Sequence, residues 1–355
     1  MEVSVLPASG LSSAQVDHWA ALQAGQPTLA SPFFRPEYVL ALADVRDDVR
    51  VAVIGGGAEP LGFLPFQPGR IGVARAAGAE LSDYQGLILA PGVEVALPGL
   101  LARAGLSALT FDHVPDSQAS FRRHATFSAA SPVMSMADGF EAYKSSGGSI
   151  GRQLSQIRRR RKQLIREVGE PRFVIHTEDP DDFRWLMARK SEQYDRLGTA
   201  DRFGAPWIVD FLARLLREHG EDFGCLFSAL YVDDRIIAGH LGLRAGGVWH
   251  WWFPTYDPEL SRYSPGLLLL MEMATAAEGI GVAAIDFGRG EERYKERLAN
   301  RHEGLLQGVA ARRTPVGMLA RGANAAKDRL RDSPLRDQLR TARDIPHRLR
   351  ARRRA

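Results

Sequence analysis

The sequence predicts a mixed α/β protein (α/β, α+β) made of two halves joined by a basic amphipathic helix. Three observations lead there. Short β-prone runs alternate with helical patterns, a three-strand antiparallel meander is legible in the second half, and residues 152–166 hold seven basic and no acidic residues. At 355 residues, 45% hydrophobic and 25% charged, the composition excludes disorder, collagen repeats and a disulfide scaffold.

In the first half, Arg35-Pro36-Glu37-Tyr38 opens a helix, because Pro36 suits a first helical turn and Tyr38, Val39 and Leu42 share a face. Residues 49–54 and 61–66 read as a hairpin around Gly55-Gly56-Gly57, residues 87–89 and 109–113 as strands, and residues 95–104 as the helix between them. Leu154, Ile157, Leu164, Ile165 and Val168 mark the buried stripe of the linking helix, which ends near Gly169. The second half runs as a strand at 172–176 and helices at 180–197, entered through Asp179, and 206–219. The meander follows at 225–232, 235–244 and 248–253, turned by Asp233-Asp234 and Gly246-Gly247. A helix from Ser264-Pro265-Gly266 to about residue 278, a strand at 283–287, a helix at 291–299 and a strand at 305–311 complete it.

The net charge of +4 conceals an uneven distribution. Residues 321–355 hold twelve basic and four acidic residues, and with the linking helix set aside the body carries 27 basic against 38 acidic, a net of −11. The single cysteine, Cys225, lies in an apolar run and reads as a buried strand residue. The N-terminus lacks the pattern of a signal peptide and the longest apolar stretch is broken by Glu272 and Glu278, so a cytoplasmic protein is expected, with the basic tail drawn to anionic lipid at the inner face of the membrane. Arg336 and Arg340, and Arg348 and Arg352, are spaced one helical turn apart, while Pro334 and Pro346 interrupt the tail, so short helical pieces or disorder are expected there.

The order of elements in the second half resembles the GNAT acyltransferase fold, in which the helix after the meander aims its N-terminus at the pyrophosphate of acyl-CoA. Trp249-His250-Trp251-Trp252-Phe253-Pro254, then Tyr263-Ser264-Pro265-Gly266, then Asp286-Phe287-Gly288-Arg289-Gly290-Glu291-Glu292-Arg293-Tyr294-Lys295 look like the acetyltransferase family of CelD/BcsL type, as do Ser31-Pro32-Phe33-Phe34 and Ser82-Asp83-Tyr84-Gln85-Gly86. That family is similar to the Fem peptidoglycan aminoacyltransferases. The resemblance spans residues 30–312 and implies two tandem GNAT-like domains with mixed sheets flanked by helices. Domains are expected at 1–140 (degenerate), 141–170 (linking helix) and 171–315 (acetyltransferase), with a basic, partly disordered tail at 316–355.

The resemblance implies N-acyl transfer from acyl-CoA, with acetyl-CoA as co-substrate and no metal, to an amine on an amino sugar or lipid-linked saccharide of exopolysaccharide or envelope assembly. Tyr294 is then the acid for the departing thiolate, Asp286 orients or deprotonates the amine or caps the turn toward Gly288, and His240 is a candidate base. A three-residue loop would turn His240 and His250 to one face of the sheet, and a two-residue loop would not. Arg262, Ser264, Gly266, Trp251 and Trp252 are the expected donor contacts; Asp83, Tyr84, Gln85, Arg289 and Lys295 are the expected acceptor contacts. The phosphate loop departs from the GNAT pattern, because Pro265 takes the expected glycine position and has no N–H. Two other functions stay open: a non-catalytic protein that binds anionic membrane, nucleic acid or a phosphorylated regulator through its basic segments, and an aminoacyl-tRNA-dependent aminoacyltransferase. No specific nucleic-acid contact is expected in the leading reading.

Overall fold

The protein is known from a computed structural model that describes residues 2–290 and 292–331. Its first lobe contains β1 (Val3–Pro7), α1 (Ser13–Ala24), α2 (Pro36–Val45), β2 (Arg50–Ile54), β3 (Gly62–Pro68), β4 (Val73–Ala76), β5 (Ile88–Leu89), α3 (Leu97–Arg103), β6 (Ala108–Pro115), α4 (Ala119–Arg122) and β7 (Ala125–Ser135). The connection is α5 (Phe140–Lys144) and α6 (Gly148–Glu167). In the second lobe come β8 (Pro171–Val174), α7 (Pro180–Leu197), α8 (Pro206–Leu215), β9 (Phe223–Val232), β10 (Arg235–Ala245), β11 (Val248–His250), β12 (Phe253–Tyr256), α9 (Pro265–Ala276), β13 (Ala284–Asp286), α10 (Arg293–Leu298) and β14 (Arg301–Ala311), followed by α11 (Pro315–Arg331).

Local chemistry explains the ends of these elements. Ser12 and Gln15 form a reciprocal capping box at α1. At α7 the Asp179 carboxylate accepts the Asp181 N–H at 2.8 Å, and Gly198 ends the helix in the left-handed region. The linking helix α6 buries Ile150, Leu154, Ile157 and Leu164 and leaves Arg158, Arg159, Arg160 and Lys162 facing outward.

Among the described residues one sheet of fourteen strands runs through both lobes, in the order β1-β2-β3-β4-β6-β14-β7-β13-β11-β10-β9-β8, with β5 on β3 and β12 on β10. The lobes are interlocked. Strand β14, from the end of the chain, sits between β6 and β7 of the first lobe, and β7 pairs with β13 of the second through Met134 opposite Ile285 and Val133 opposite Asp286. Cuts at 140 and 171 therefore do not separate two sheets. The stretch expected to begin the tail is also part of the fold at first: α11 packs Ala320 against Ala108, Val309 and Ala311. Arg336, Arg340, Arg348 and Arg352 lie outside the described residues, as does Glu291.

One face of the second lobe's sheet packs Cys225, Phe227, Leu241 and Leu243 against Phe211, Leu212 and Leu215 of α8 and runs continuously into Phe33, Tyr38 and Leu42 of the first lobe. The opposite face packs Trp249, Trp251, Ile285 and Phe287 against α6 and α9. This continuous core fixes the lobes against each other, so side chains from both can be held in register where they meet. No described helix is long and apolar enough to cross a membrane.

Candidate functional site

The lobes meet at the C-terminal ends of β11 and β13, which run parallel with His250 opposite Asp286. Onto these ends the first lobe lays the turn Ser82-Asp83-Tyr84. Tyr84 Oη donates to Asp286 Oδ2 at 2.5 Å, Ser131 Oγ of β7 donates to Asp286 Oδ1 at 2.5 Å, and the Gly288 N–H donates to the same Oδ1 at 2.9 Å. With both oxygens engaged by three donors, Asp286 is a clamp between lobes and poorly placed to take a proton. Burial, then the Asp286 charge, holds the Tyr84 phenol well above its ordinary value, so it stays a donor.

The neighbouring pair is more open. His250 Nε2 donates to Asp83 Oδ2 at 2.8 Å; the imidazole is fully buried, while Asp83 keeps 29% of its side chain exposed. Burial works against the Asp83 charge, but the hydrogen bond and charge of His250, with His113 and Lys295 further off, outweigh it and hold the carboxyl below its ordinary value. Gly288 makes room for this pair. Its backbone lies in the left-handed region at φ 67°, and a Cβ there would sit 3.0 Å from Asp83 Oδ2 and 3.2 Å from His250 Nε2.

Lysines and a tyrosine complete the junction. Lys295 is buried, with its ammonium 3.2 Å from Glu292 Oε2 and 3.5 Å from the Gly288 carbonyl. Lys190 of α7 is also buried, donating to Gln193 Oε1 at 3.0 Å and lying 3.4 Å from the Pro254 carbonyl; burial lowers it to about 8, with the Lys295 charge adding and Glu292 opposing. Trp251 Nε1 donates to Tyr294 Oη at 3.0 Å, which leaves the tyrosine proton free of any acceptor among the described residues. Burial raises the Tyr294 phenol above its ordinary value.

Between β11 and β12 the chain bulges at Trp251 and Trp252 opposite Gly242 of β10. Only glycine fits at that position, since a Cβ would lie 2.2 Å from the His240 ring and 2.4 Å from the His250 carbonyl. A two-residue turn sets Ala245 opposite Val248 and Arg244 opposite Trp249, so His240 and His250 face opposite sides of the sheet. His240 is thus removed from the junction. It stacks on Trp251 at 4.5 Å, its Nε2 is 3.2 Å from both the His250 carbonyl and the Trp252 N–H, and burial lowers it to about 3, which keeps it neutral.

Beside Asp286 opens a cleft of about 530 Å³ lined by Tyr84, Asp286, Gln23, Ser31, Arg301 and Glu303. Its walls come from both lobes, with Gly246, Val248 and Ala284 contributed by the second. A separate grouping at the far side of the second lobe, His176, Glu178 and His219, is poorly suited to a metal. His176 Nδ1 already accepts the Phe227 N–H at 3.0 Å, so in the neutral ring Nε2 carries the proton and offers no lone pair.

Residues 151–296 match the family model of the acetyltransferase (GNAT) domain. No curated protein matches the sequence. Among solved structures FemX is similar, with a TM-score of 0.58 and 11% identity over 87% of this chain and 96% of that one. The C-terminal domain of a putative lysylphosphatidylglycerol synthetase from Agrobacterium fabrum has a TM-score of 0.54 and 12% identity over 86% of this chain and 94% of that one. A tandem GNAT protein from the clavulanic acid biosynthesis pathway has a TM-score of 0.50 and 13% identity over 87% of this chain and 98% of that one. The fold is therefore similar to that of tandem GNAT proteins, and the match to the GNAT domain lies over the linking helix and most of the second lobe.

Within the matched residues α9 is the helix expected to face a pyrophosphate, and the groups at its start are turned toward one another. Ser264 lies in the left-handed region at φ 55° and makes no side-chain cap, Pro265 has no N–H, and the Leu267 and Leu268 N–H groups both bond the Ser264 carbonyl at 3.0 and 3.2 Å. Arg262 stacks on Tyr263 and faces Glu167 at 3.5 Å, while Tyr263 Oη donates to the same carboxylate at 2.9 Å. A carboxylate thus lies where a phosphate would need cations. At Gly266 a Cβ would meet only Tyr256, at 3.6 Å, so no protein group requires a glycine there.

Three more expectations change on placement. Trp252 packs between the lobes, donating to the Leu81 carbonyl at 3.0 Å and stacking on Phe253, so it is removed from donor binding. Gln85 turns away from Asp83 and Tyr84, binding Asp112 through both its amide nitrogen and its oxygen. Arg289 lies over Phe127 and bonds Gln307 Oε1 at 3.3 Å, which draws it to β7 and β14. Asp83, Tyr84, Asp286 and Lys295 do gather at the junction, while Tyr294 and Trp251 bond each other on the side where Trp251 stacks on His240. His250, Ser131 and Lys190 join them; the heavier weight on His240 followed from the loop register, Ser131 lies on a strand without a clear hydrophobic run, and Lys190 looks like any helix-surface lysine.

Proposed function

We propose that this chain is an N-acyltransferase that moves an activated acyl group onto an amine, carried by an amino sugar or lipid-linked saccharide in exopolysaccharide or envelope assembly. The observation that carries this reading is the Asp83–His250 pair, one residue from each lobe, with Asp83 partly exposed and the Lys295 charge near enough to act on it. The free oxygen of Asp83 holds the acceptor amine and takes up the proton released as the C–N bond forms, while His250 holds the carboxylate in place. Lys295 supplies positive charge for the oxyanion as the carbonyl is attacked, and Tyr294, fixed by the Trp251 indole, offers its proton to the departing atom. The segments 249–258 and 285–297 support placement with the CelD/BcsL-type acetyltransferases.

A second reading concerns the donor. The start of α9 offers no cradle for the pyrophosphate of CoA, and the outward face of α6 presents Arg158, Arg159, Arg160 and Lys162 to solvent, an arrangement suited to a phosphate backbone. This favours an aminoacyl ester on tRNA, in keeping with the similarity to Fem aminoacyltransferases. Purified full-length protein supplied with either acetyl-CoA or charged tRNA, together with glucosamine and lipid-linked amino sugars, separates the two. Amine-dependent loss of acyl group from one donor, abolished in Asp83→Asn, is expected. Absence of transfer from both donors across the acceptors overturns the enzyme reading and leaves a binding protein.

A further inference from the structure

The C-terminal helix and a strained turn form a surface that the acyl-transfer chemistry does not use. Ile71 is 68% exposed and sits in the left-handed region at φ 55°. For a β-branched residue that conformation is a true outlier. An exposed isoleucine held in such a conformation calls for a contact outside the fold.

That contact has a neighbour. Ile71, Val316 and Leu319 line one cleft of about 520 Å³, so the turn and α11 belong to a single surface. Met318 and Leu319 are each 66% exposed, and Gly322, Ala323 and Ala326 continue the outer stripe at helical spacing. Arg75 and Lys327 line the same cleft, as do Glu80 and Asp112, and Arg70, Arg313 and Arg321 lie exposed on the turn, the approach to α11 and α11 itself, so five cations stand against two carboxylates. Beyond them the sequence adds eight arginines against three aspartates at 332–355.

We propose that the Ile71 turn and the outer face of α11 dock the protein on an anionic lipid bilayer, with Ile71, Met318 and Leu319 entering the acyl boundary and the surrounding cations meeting the headgroups. An apolar centre inside a cationic rim is the pattern of an interfacial helix. A nucleic acid would use the cations and leave three aliphatic side chains in water, which is why lipid is the better match.

Co-sedimentation of the full-length protein with vesicles of phosphatidylcholine alone, and of an equimolar mixture with phosphatidylglycerol, tests the assignment. The wild type is expected to bind the mixed vesicles at least about tenfold more tightly. Met318→Ser combined with Leu319→Ser is expected to weaken that binding by about tenfold, and Ile71→Gly by a similar factor. Ile71→Gly relieves the backbone strain, so its Tm should not fall, and a loss of binding cannot be blamed on unfolding. Arg321→Gln combined with Lys327→Gln should weaken binding to the mixed vesicles by about tenfold and leave phosphatidylcholine binding unchanged. Wild-type protein that stays in the supernatant, binds both vesicles equally, or binds only added single-stranded RNA overturns the proposal. So do serine variants that bind as well as the wild type.

Discussion

Two regions of the second lobe were expected to carry the chemistry, and they are built in opposite ways. At the junction, side chains from both lobes converge: Tyr84 and Ser131 on Asp286, Asp83 on His250, with Lys295 alongside. At the start of α9, the groups that would receive a phosphate are turned inward: two N–H groups close on the Ser264 carbonyl, and Arg262 and Tyr263 close on Glu167. The first arrangement leaves a partly exposed carboxylate at Asp83 and a cleft beside Asp286; the second leaves little for a ligand to displace. The order of GNAT elements therefore does not by itself place a donor site, and function has to be argued from the groups left open.

The largest expected effect tests the open half of the junction. Asp83→Asn keeps the volume and the contact with His250 but removes the charge that holds the acceptor amine and takes up its proton. Steady-state kinetics with an amine acceptor should show kcat/KM reduced by about a hundredfold or more, within the range for a lost acid–base group. Unchanged kcat/KM would move the chemistry away from the Asp83–His250 pair. The closed half should respond in stability instead. Asp286→Ala strands the Tyr84 and Ser131 hydroxyls and the Gly288 N–H in a dry interface, and should destabilise the protein by about 3 kcal/mol in denaturant unfolding. A loss below 1 kcal/mol would mean that the clamp is not what joins the lobes.

A third effect comes from the bulge that separates the two regions. His240 is buried and neutral, its folded value lowered to about 3. An unfolded histidine titrates near 6.5, so below that pH the unfolded chain binds the proton that the folded chain refuses. The stability that neutral His240 contributes is fully present above about pH 6.5 and is lost progressively as pH falls toward 3. Denaturant midpoints measured from pH 7 down to pH 5 should fall less steeply in His240→Gln than in the wild type. Parallel slopes would show that another group controls the acid limb.

Much of this was legible in the sequence, and the failures have physical causes. The meander, the linking helix and the order of the second lobe follow from period-two and period-3.6 apolar patterns, which local sequence does carry. Strand β7 was missed because Ala125-Thr126-Phe127-Ser128-Ala129-Ala130-Ser131 offers small residues and no apolar run; it is a strand because β13 and β14 pair with its two edges. The insertion of β14 into the first lobe is a long-range fact with no local signature. Asp83, Tyr84 and Lys295 could be picked out by residue type, whereas choosing between His240 and His250 depended on one residue of turn length, which decides the face of every side chain that follows. Ser264-Pro265-Gly266 reads well as a capped helix start, yet the left-handed Ser264 turns its hydroxyl away from the cap.

The smallest expected effect is the one that tests the other half of the comparison. A GNAT phosphate cradle brings pyrophosphate against bare backbone, so adding a methyl group there should raise the KM of the donor severalfold. At Gly266 a new Cβ would meet only Tyr256, at the ordinary contact distance of 3.6 Å, in a helix whose Leu267 and Leu268 N–H groups already serve Ser264. Gly266→Ala should thus leave donor KM and kcat within about twofold of wild type, and should raise Tm slightly because alanine is the better helix former by about 1 kcal/mol. A severalfold rise in the KM for acetyl-CoA at unchanged kcat would place the donor's phosphates on α9 after all. It would require Glu167 to release Arg262 and Tyr263 when the donor binds. Glu167→Gln would then lower the same KM, because the carboxylate that now holds those two residues would no longer compete with a phosphate.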